Sequence, residues 1–377
     1  MSANQIIRIH AMLRTLSPLH ITSPESARLN LAEMKPIYSD SKEHPPLNLT
    51  QKMSVLEGGG STRQVPVIAA NNIMGRLRRH AAHHLLDAIK AKNERIKIGT
   101  YMGLQCGAVT GNPDGRDVTF DEYKETRQHP YIGLFGGGPR MMRRYVRMFN
   151  LVPYMDATVN MFGRNTHPYL DDSIHKAPSD ARRLTQCWIL NRNDDLKELL
   201  NISQASSVIE DFEAQVSARQ TALIASSSAD NRTEGDPRLS TRSFSAMEFV
   251  VPGVYFPVCF ELEVSEAQMG LFLASLDRFC EKERIGGHSR NGFGAFSLTD
   301  VVATDGKGKV LGEGLFANSR LQLDNEFVKP YLQAWVASAQ KLTAADLDRL
   351  FAPPEEESKS KRQAKAKTEK TTAVETA

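Results

Sequence analysis

The order in which strand-like and helix-like patterns follow one another limits the folds open to this chain. The opening stretch alternates apolar and polar residues from Ile6 to Ile21, which indicates a half-buried strand that Pro18 ends. Further patterns predict a short strand and a helix from Val65 onward, a strand at Leu151–Val159, a strand at Met247–Val264, a helix after Ser265 and a strand from Phe293 to Val301.

These elements give the order β-α-β-β-α-β, which is the ferredoxin-like arrangement used by RNA-recognition folds. We therefore predict the α+β class, with an RRM-type palm in one domain over residues 1–352. The palm would be built from about 1–21, 65–92, 150–160 and 247–305, and both helices would cover one face of its sheet and leave the other face free. Between these pieces lie a loop insertion at 22–64, a large helical insertion at 93–149 and a further insertion at 161–246. The charged segment 353–377 has few apolar residues and is expected to be disordered.

A glycine-rich loop connects the second predicted helix to the last strand. It reads RIGGHSRNGFGAFS from Arg284 to Ser297, and its glycines would let backbone amides approach a ligand closely. The side chains between the glycines are hydrogen-bond donors suited to a phosphate backbone: His288, Ser289, Arg290 and Asn291. The alternative is a plain helix-to-strand turn with solvated polar residues, since the spacing matches neither a Walker A loop nor a dinucleotide-binding loop.

Positive charge is concentrated in one part of the chain. The formal net charge is only +3, yet residues 71–150 contain fourteen Lys and Arg against seven Asp and Glu. On the predicted first helix one arc collects polar side chains, namely Arg76, Arg79, His80, His83 and Asp87. Four further arginines, Arg140, Arg143, Arg144 and Arg147, would line one side of a helix. The pattern favours an anionic partner over a merely solvated basic face.

Several classes of protein are disfavoured by the composition. The sequence contains no run of about 18 apolar residues, and its start lacks the apolar segment of a secretory signal, so we expect a cytoplasmic protein without a membrane span. Four cysteines are scattered without a CxxC pair, which predicts reduced, mostly buried thiols and neither disulfides nor a zinc site. No cofactor is expected.

Four segments resemble a known family, the RAMP-superfamily RNA-binding proteins of CRISPR systems, and specifically the guide-RNA-binding backbone subunit of class 1 effector complexes. They are Leu16–Ile21, Pro66–Arg78 with its Gly-Arg-Leu-Arg run, Glu248–Phe256 and Ile285–Gly294. The segments cover the palm and leave the insertions unmatched. The large helical insertion and the Gly-Gly-Gly-Pro-Arg segment look most like the type IV backbone subunit, with type III next.

The resemblance implies a subunit that binds crRNA, assembles head to tail with copies of itself and presents the spacer for pairing with a target nucleic acid, beside other effector subunits. Residues 93–149 would be its fingers, and a thumb would lie within 161–246, with Ser226–Arg242 as the expected tip. By resemblance, Arg76, Arg78, Arg79, His288, Ser289 and Arg290 hold phosphates. The predicted RNA-binding set also includes His80, His83, Arg140, Arg143, Arg144, Arg147 and Asn291.

The resemblance also bears on catalysis. Type III relatives cut target RNA with an aspartate in the loop after the first strand, where this chain has only Asp40, beside the solvated acids Glu33 and Glu43. We therefore expect a subunit that is not an enzyme, with type III-like cleavage through Asp40 as the alternative. A second alternative is a metal-dependent ribonuclease that uses His80, His83 and Asp87. A third is a general single-strand RNA binder.

Overall fold

A computed structural model describes residues 6–39, 44–57, 60–107, 119–137, 142–195, 206–218, 221 and 240–351. The strands, in chain order, are β1 (Ile6–Thr15), β2 (Thr22–Asn30), β3 (Lys35–Ile37), β4 (Pro46–Thr50), β5 (Lys52–Leu56), β6 (Thr62–Pro66), β7 (Val146–Met148), β8 (Thr185–Asp195), β9 (Ser240–Val250), β10 (Tyr255–Glu263), β11 (Phe296–Asp305), β12 (Val310–Gly312), β13 (Phe316–Ala317) and β14 (Arg320–Leu321). The helices are α1 (Ala70–Ala91), α2 (Ile98–Cys106), α3 (Phe120–Gln128), α4 (Pro130–Phe135), α5 (Asp172–His175), α6 (Glu266–Lys282), α7 (Val328–Lys341) and α8 (Ala344–Phe351).

The first compact unit contains a five-stranded antiparallel sheet in the order β12-β11-β1-β10-β7. It is built from residues up to Ile21, from Gln51 to Leu184 and from Val250 onward. Along the chain its central elements follow as β1, α1, β7, β10, α6 and β11, which agrees with the β-α-β-β-α-β order expected from the sequence. The predicted α+β class is confirmed.

The helices α1 and α6 cover one face of this sheet. Alternate residues of β1 and β10, among them Ile9, Leu13 and Phe260, are buried there, and Phe260 contacts Phe272 of α6 edge-to-face at 5.1 Å. Helix α6 begins with a capping box in which Ser265 and Gln268 bond each other's backbone amides. The predicted core stripe of α6 is therefore found where the sequence pattern placed it.

The second unit comprises Thr22–Thr50 and Thr185–Phe249. Its five-stranded sheet has the order β3-β2-β4-β9-β8, and β4 pairs with β9 in parallel. A small core of Ala27, Leu29, Leu47, Leu49, Cys187 and Ala246 holds it together. The prediction of an irregular loop over 22–64 is wrong, because this stretch contains β2 to β6. Apolar and polar residues alternate here only over short stretches that prolines interrupt. The sequence pattern therefore predicted no strand.

Two local predictions are also corrected around the second palm strand. That strand is Val146–Met148, whereas Leu151–Val159 has no strand pairing beyond a single bridge from Leu151 to Ile68, and Val159–Met161 is a 3₁₀ turn. The arginines from 143 to 147 consequently lie on a loop and a strand and not on one side of a helix. The predicted helices at 93–149 are present as α2, α3 and α4.

The second face of the palm sheet is partly covered, against the expectation of a free face. His10 and Met12 of β1 and Cys259 of β10 point to this side and are buried. The segment before α5 lies over them, with His167 edge-to-face against His10 at 6.0 Å and Asn165 beside Cys259. The sheet therefore lacks the bare aromatic platform on which RRM domains stack bases.

The remaining predictions concern the cysteines, a membrane span and residues that the structure does not describe. Cys187 and Cys259 are buried, Cys280 is half-buried and Cys106 is exposed. Among the described residues no helix has both the length and the apolar character needed to cross a membrane. The predicted tail at 353–377, most of the expected thumb tip and Asp40 lie outside the described residues.

Candidate nucleic-acid interface

The glycine loop after α6 is closed at its base by backbone hydrogen bonds. Ile285 N donates to Gly294 O at 2.9 Å, and Gly287 N donates to His20 O at 2.9 Å. Gly286 has a φ of +81°, and a Cβ there would lie 2.1 Å from His20 O. The loop thus requires glycine both for its conformation and for its close approach to the segment after β1.

The tip of the loop is exposed and rich in donors. His288 adopts a φ of +59°, stacks edge-to-face on His20 at 5.2 Å and leads into a 3₁₀ turn at Ser289–Asn291. Ser289, Arg290 and Asn291 are exposed, and no ion pair within the described residues involves Arg290. An exposed guanidinium without an acidic partner is available to an anion from solution.

Arg76 fastens this loop to helix α1. Its guanidinium pairs with Glu283, donates to Gly286 O at 3.3 Å and contacts Asn72 Oδ1 at 3.3 Å. His80, which is 6% exposed, lies 3.2 Å from the other oxygen of Glu283. The hydrogen bond from His80 and the charge of Arg76 outweigh burial and lower the pKa of Glu283 to about 2. Arg76 and His80 therefore position the loop through an internal ion-pair network.

The first turn of α1 brings a second predicted group close to the same place. Its first amide, Ala70 N, is capped by Asn150 Oδ1 at 2.9 Å, and Arg144 Nη1 approaches Asn71 Oδ1 to 3.5 Å. Arg143, the preceding residue, is exposed and forms no ion pair within the described ranges. Because Asn71 is followed by Asn72, which contacts Arg76, the Arg143–Arg144 pair and the glycine loop flank the first two turns of α1.

Arg78 of α1 points in another direction. Arg78 is two residues from Arg76 and therefore about 200° around the helix. Its guanidinium lies against Gly107 at the end of α2, where a Cβ would be 2.3 Å away, and its Nε is buried with no partner among the described residues. Arg79 is half-buried. Arg78 thus belongs to the contact between α1 and the inserted helices.

The proposed metal ligands are separated by their own partners. Asp87 Oδ2 pairs with Arg278 at 2.7 Å, and His80 is bound to Glu283. Burial, followed by the charges of Arg278 and His80, lowers the pKa of the half-buried His83. The parts of the chain that the structure describes contain no group of three His, Cys, Asp or Glu side chains able to hold a metal ion. The geometry does not favour the ribonuclease alternative.

Arg147 lies on the covered face of the sheet, away from the glycine loop. It contacts Glu261 at 3.3 Å, and the same carboxylate meets Arg8 at 3.4 Å and Arg164 at 3.8 Å. Arg140 falls outside the described residues, as do Asp40 and Glu43, while the exposed Glu33 pairs with Lys35. The sequence placed Arg147 with the other arginines because it assumed a helix where a strand occurs.

A buried histidine cluster on the covered face was missed by the sequence patterns. His10 Nε2 lies 3.1 Å from Thr304 Oγ1, and His167 Nε2 lies 2.6 Å from Asp300 O. Asp300 occupies a β-bulge of β11 with a φ of +53°. Burial and the neighbouring charges of His167 and Arg8 lower the pKa of His10 to about 4, so the ring is neutral at pH 7. The alternation of apolar and polar residues in β1 placed His10 on the polar face. It did not indicate that another segment of the chain covers that face.

The chain is similar to known proteins only in its structure. No protein-family model matches it, and no match was found among curated proteins. The chain is similar to a protein chain of a type IV-B CRISPR complex. The two share 14% identity and a TM-score of 0.41 over 79% of this chain and 90% of that one. It is also similar to Csc2 of Thermofilum pendens, with 13% identity and a TM-score of 0.31 over 97% of this chain and 77% of the other. Because both TM-scores lie below 0.5, neither likeness indicates a function for this chain.

Proposed function

We propose that this chain is the crRNA-binding backbone subunit of a type IV CRISPR effector complex. In this proposal copies of the chain assemble head to tail along the guide RNA, leave the spacer accessible for target pairing, join other effector subunits and do not cut the target. The resemblance of four palm segments motivates the family.

One observation supports RNA binding above the others. Cations and donors flank the first two turns of α1, with the exposed Arg290, Ser289 and Asn291 on one side and the exposed Arg143 and half-buried Arg144 on the other. Guanidinium groups and hydroxyl or amide donors on both sides of a helix start suit successive phosphates of one strand. Arg76 and His80 contribute by fixing the loop, and Arg79 and His83 extend the polar surface of the helix.

The first test is the nucleic acid that accompanies the protein. A backbone subunit should co-purify with one repeat-derived RNA species, whereas a general single-strand binder should carry mixed cellular RNA. Complexes reconstituted on longer guide RNA should grow in mass by whole subunits, because a head-to-tail interface that does not close makes a filament. A nucleic-acid-free monomer that ignores repeat-derived RNA in dilute buffer contradicts the proposal.

The second test locates the binding surface. Arg290→Ala and Arg143→Ala should each weaken binding of repeat-derived RNA and reduce the slope of log K against log salt by about 0.7. Lys307→Ala is the matched control, since Lys307 is exposed in the turn after β11, about 30 Å from the glycine loop along the strand. An equal loss in all three variants would indicate a diffuse charge effect and not a site.

The catalytic alternatives are separated by one assay. Assembled complexes are incubated with complementary target RNA and Mg²⁺, and cleavage is followed on gels. The proposal expects intact target. Cleavage that Asp40→Ala abolishes would favour the type III-like alternative, and cleavage that His83→Ala abolishes would favour the ribonuclease.

A further inference from the structure

A cavity of about 220 Å³ opens beside β10 on the covered face of the palm sheet. Its walls are mainly aromatic, thioether and aliphatic groups from the β5 strand, the segment after β7, the segment around 161–165 and β10: Met53, Phe149, Leu151, Val152, Met161, Phe162, Pro257 and Cys259. It is smaller than the 300–1,000 Å³ typical of pockets for drug-sized ligands, so it has room for a single flat ring system.

The rim of the cavity is unusual for a packing defect. Phe149 is 62% exposed and Met161 is 47% exposed, so two large apolar side chains stand open to solvent at its mouth. Asn150 and Asn165 line the same cavity, and neither side-chain nitrogen has a hydrogen-bond partner among the described residues. Flat apolar walls with free amide donors at the edge fit a nucleobase, whose faces are apolar and whose edge carries acceptor atoms.

Cations beside the cavity point to a nucleic acid and not to a protein side chain. Glu261 lies two residues along β10 from Cys259, so the two side chains share a face of the sheet about 7 Å apart. This single carboxylate meets three arginines, Arg8, Arg147 and Arg164, which leaves a local net charge of +2. Arg164 is held only loosely, at 3.8 Å, and its side chain is 72% exposed. It is available to a phosphate next to the cavity.

The cavity is also continuous with the proposed phosphate-binding surface. Asn150 belongs to both, because its Oδ1 caps the first amide of α1 while the residue lines the cavity. Phosphates held at Arg143 and Arg144 would therefore lie next to the cavity mouth.

We propose that this cavity is a base-docking slot, in which one unpaired base of the bound RNA stacks on Phe149 while Arg164 and Arg147 contact its flanking phosphate. The inference rests on the proposed RNA-binding function and adds a second element to it. The covered sheet face then contributes to RNA binding at its open margin, although it offers no stacking platform at its centre.

The experiment uses the full chain, a repeat-derived RNA and the same sugar-phosphate strand without bases. Phe149→Ala should weaken binding of the normal RNA about 5- to 150-fold, the range expected for loss of one stacked base. Met161→Ala should weaken it less, and binding of the base-free strand should be the same for wild type and both variants. Phe120→Ala is the matched control, because Phe120 is 70% exposed on α3 and lies outside the slot.

Each remaining outcome has a distinct meaning. If Phe149→Ala binds both strands as wild type does while Arg290→Ala still weakens them, the slot is overturned and the proposed function stands. If Phe149→Ala leaves RNA affinity unchanged but prevents association of copies, the slot holds a side chain of a neighbouring subunit and the inference is likewise overturned. If the wild-type protein binds neither the repeat-derived RNA nor the base-free strand, the proposed function itself fails.

Discussion

At the scale of single residues, the structure divides the predicted arginines and histidines into those that hold the site and those that present it. Arg76 and His80 share Glu283, a residue more than 200 positions away in the sequence. A local charge pattern cannot reveal such a partner. Arg290 and Ser289 needed no distant partner, and their exposure follows from the glycines around them. The exposed donors are therefore easier to predict from the sequence than the buried network.

Replacing Glu283 should loosen the loop without touching its exposed tip. Glu283→Gln removes the anion that Arg76 and His80 share, and we expect the free energy of unfolding at pH 7 to fall by about 2 kcal/mol. The contribution is complete above the ordinary pKa of 4.5 and is lost as the pH falls through about 2, because the folded-state pKa is lowered. Urea unfolding measures the change. Arg290→Ala, at an exposed and unpaired position, should stay within about 0.5 kcal/mol of wild type; an unchanged midpoint for Glu283→Gln would contradict the network.

At the scale of elements, two glycines of the same loop allow the effect of backbone strain to be compared with the effect of a steric clash. Gly286 and Gly292 have φ values of +81° and +83°, but a Cβ at Gly286 would meet His20 O at 2.1 Å whereas a Cβ at Gly292 meets nothing within 4 Å. Gly292→Ala should therefore cost only the strain of a left-handed residue, about 1 kcal/mol. Gly286→Ala should destabilise the chain more and weaken RNA binding as well.

Thermal unfolding and RNA titration of these two variants, measured side by side, check this prediction. Equal stability losses would mean that the approach to His20 is not required. Normal RNA affinity in a clearly destabilised Gly286→Ala variant would mean that the loop does not form the site.

The start of α6 supports a second prediction at this scale. Ser265→Ala removes one half of the capping box and should cost about 1 kcal/mol. Gln268→Ala should cost more, because the Gln268 side chain also donates to Arg127 O at 3.0 Å and to His129 O at 3.3 Å, joining α6 to the inserted helices. Chemical denaturation of both variants measures the order of effects, and the reverse order would refute it.

Some elements can be predicted from the sequence better than others. Long periodic stretches such as β1, β10 and α6 were located, since a continuous apolar alternation or stripe spans several turns or pleats. Most of the stretch from β2 to β6 was missed because prolines interrupt its hydrophobic alternation and because one of its pairings, between β4 and β9, joins residues far apart in the sequence. The boundary of β7 was missed because its three residues fall inside a run of arginines. Register and long-range pairing decide these elements, and neither is local.

At the scale of the whole molecule, several histidines are buried in their neutral form. Burial is the largest cause of the lowered pKa at His10, His84, His129 and His167, and it brings the pKa of His10 and of His129 to about 4. His10 lies against β11, the half-buried His84 against α6, His129 at the junction of α3 and α4, and His167 in the segment before α5. The ten histidines of the chain thus include a set that acts on global stability and not on the RNA surface.

This set predicts how stability depends on pH. In the unfolded chain these rings take up protons near pH 6.5, whereas in the folded chain His10 and His129 do so only near pH 4. The unfolded state therefore binds more protons between these values, and the free energy of unfolding should fall as the pH decreases from 6.5 toward 4, by up to about 1.4 kcal/mol per pH unit for each such histidine. Above pH 4.5 the Glu283 network stays intact, since its carboxylate titrates only below that value.

Urea unfolding at pH 7.5, 6.5, 5.5 and 4.7 should show a plateau followed by a steep decline. His10→Gln should make the decline shallower, because the glutamine takes up no proton in either state. A stability that is flat from pH 6.5 to 4.7 would mean that water or rearrangement lets these rings ionise inside the folded chain, and the covered face of the sheet would then be more open than the geometry of His10 and His167 indicates.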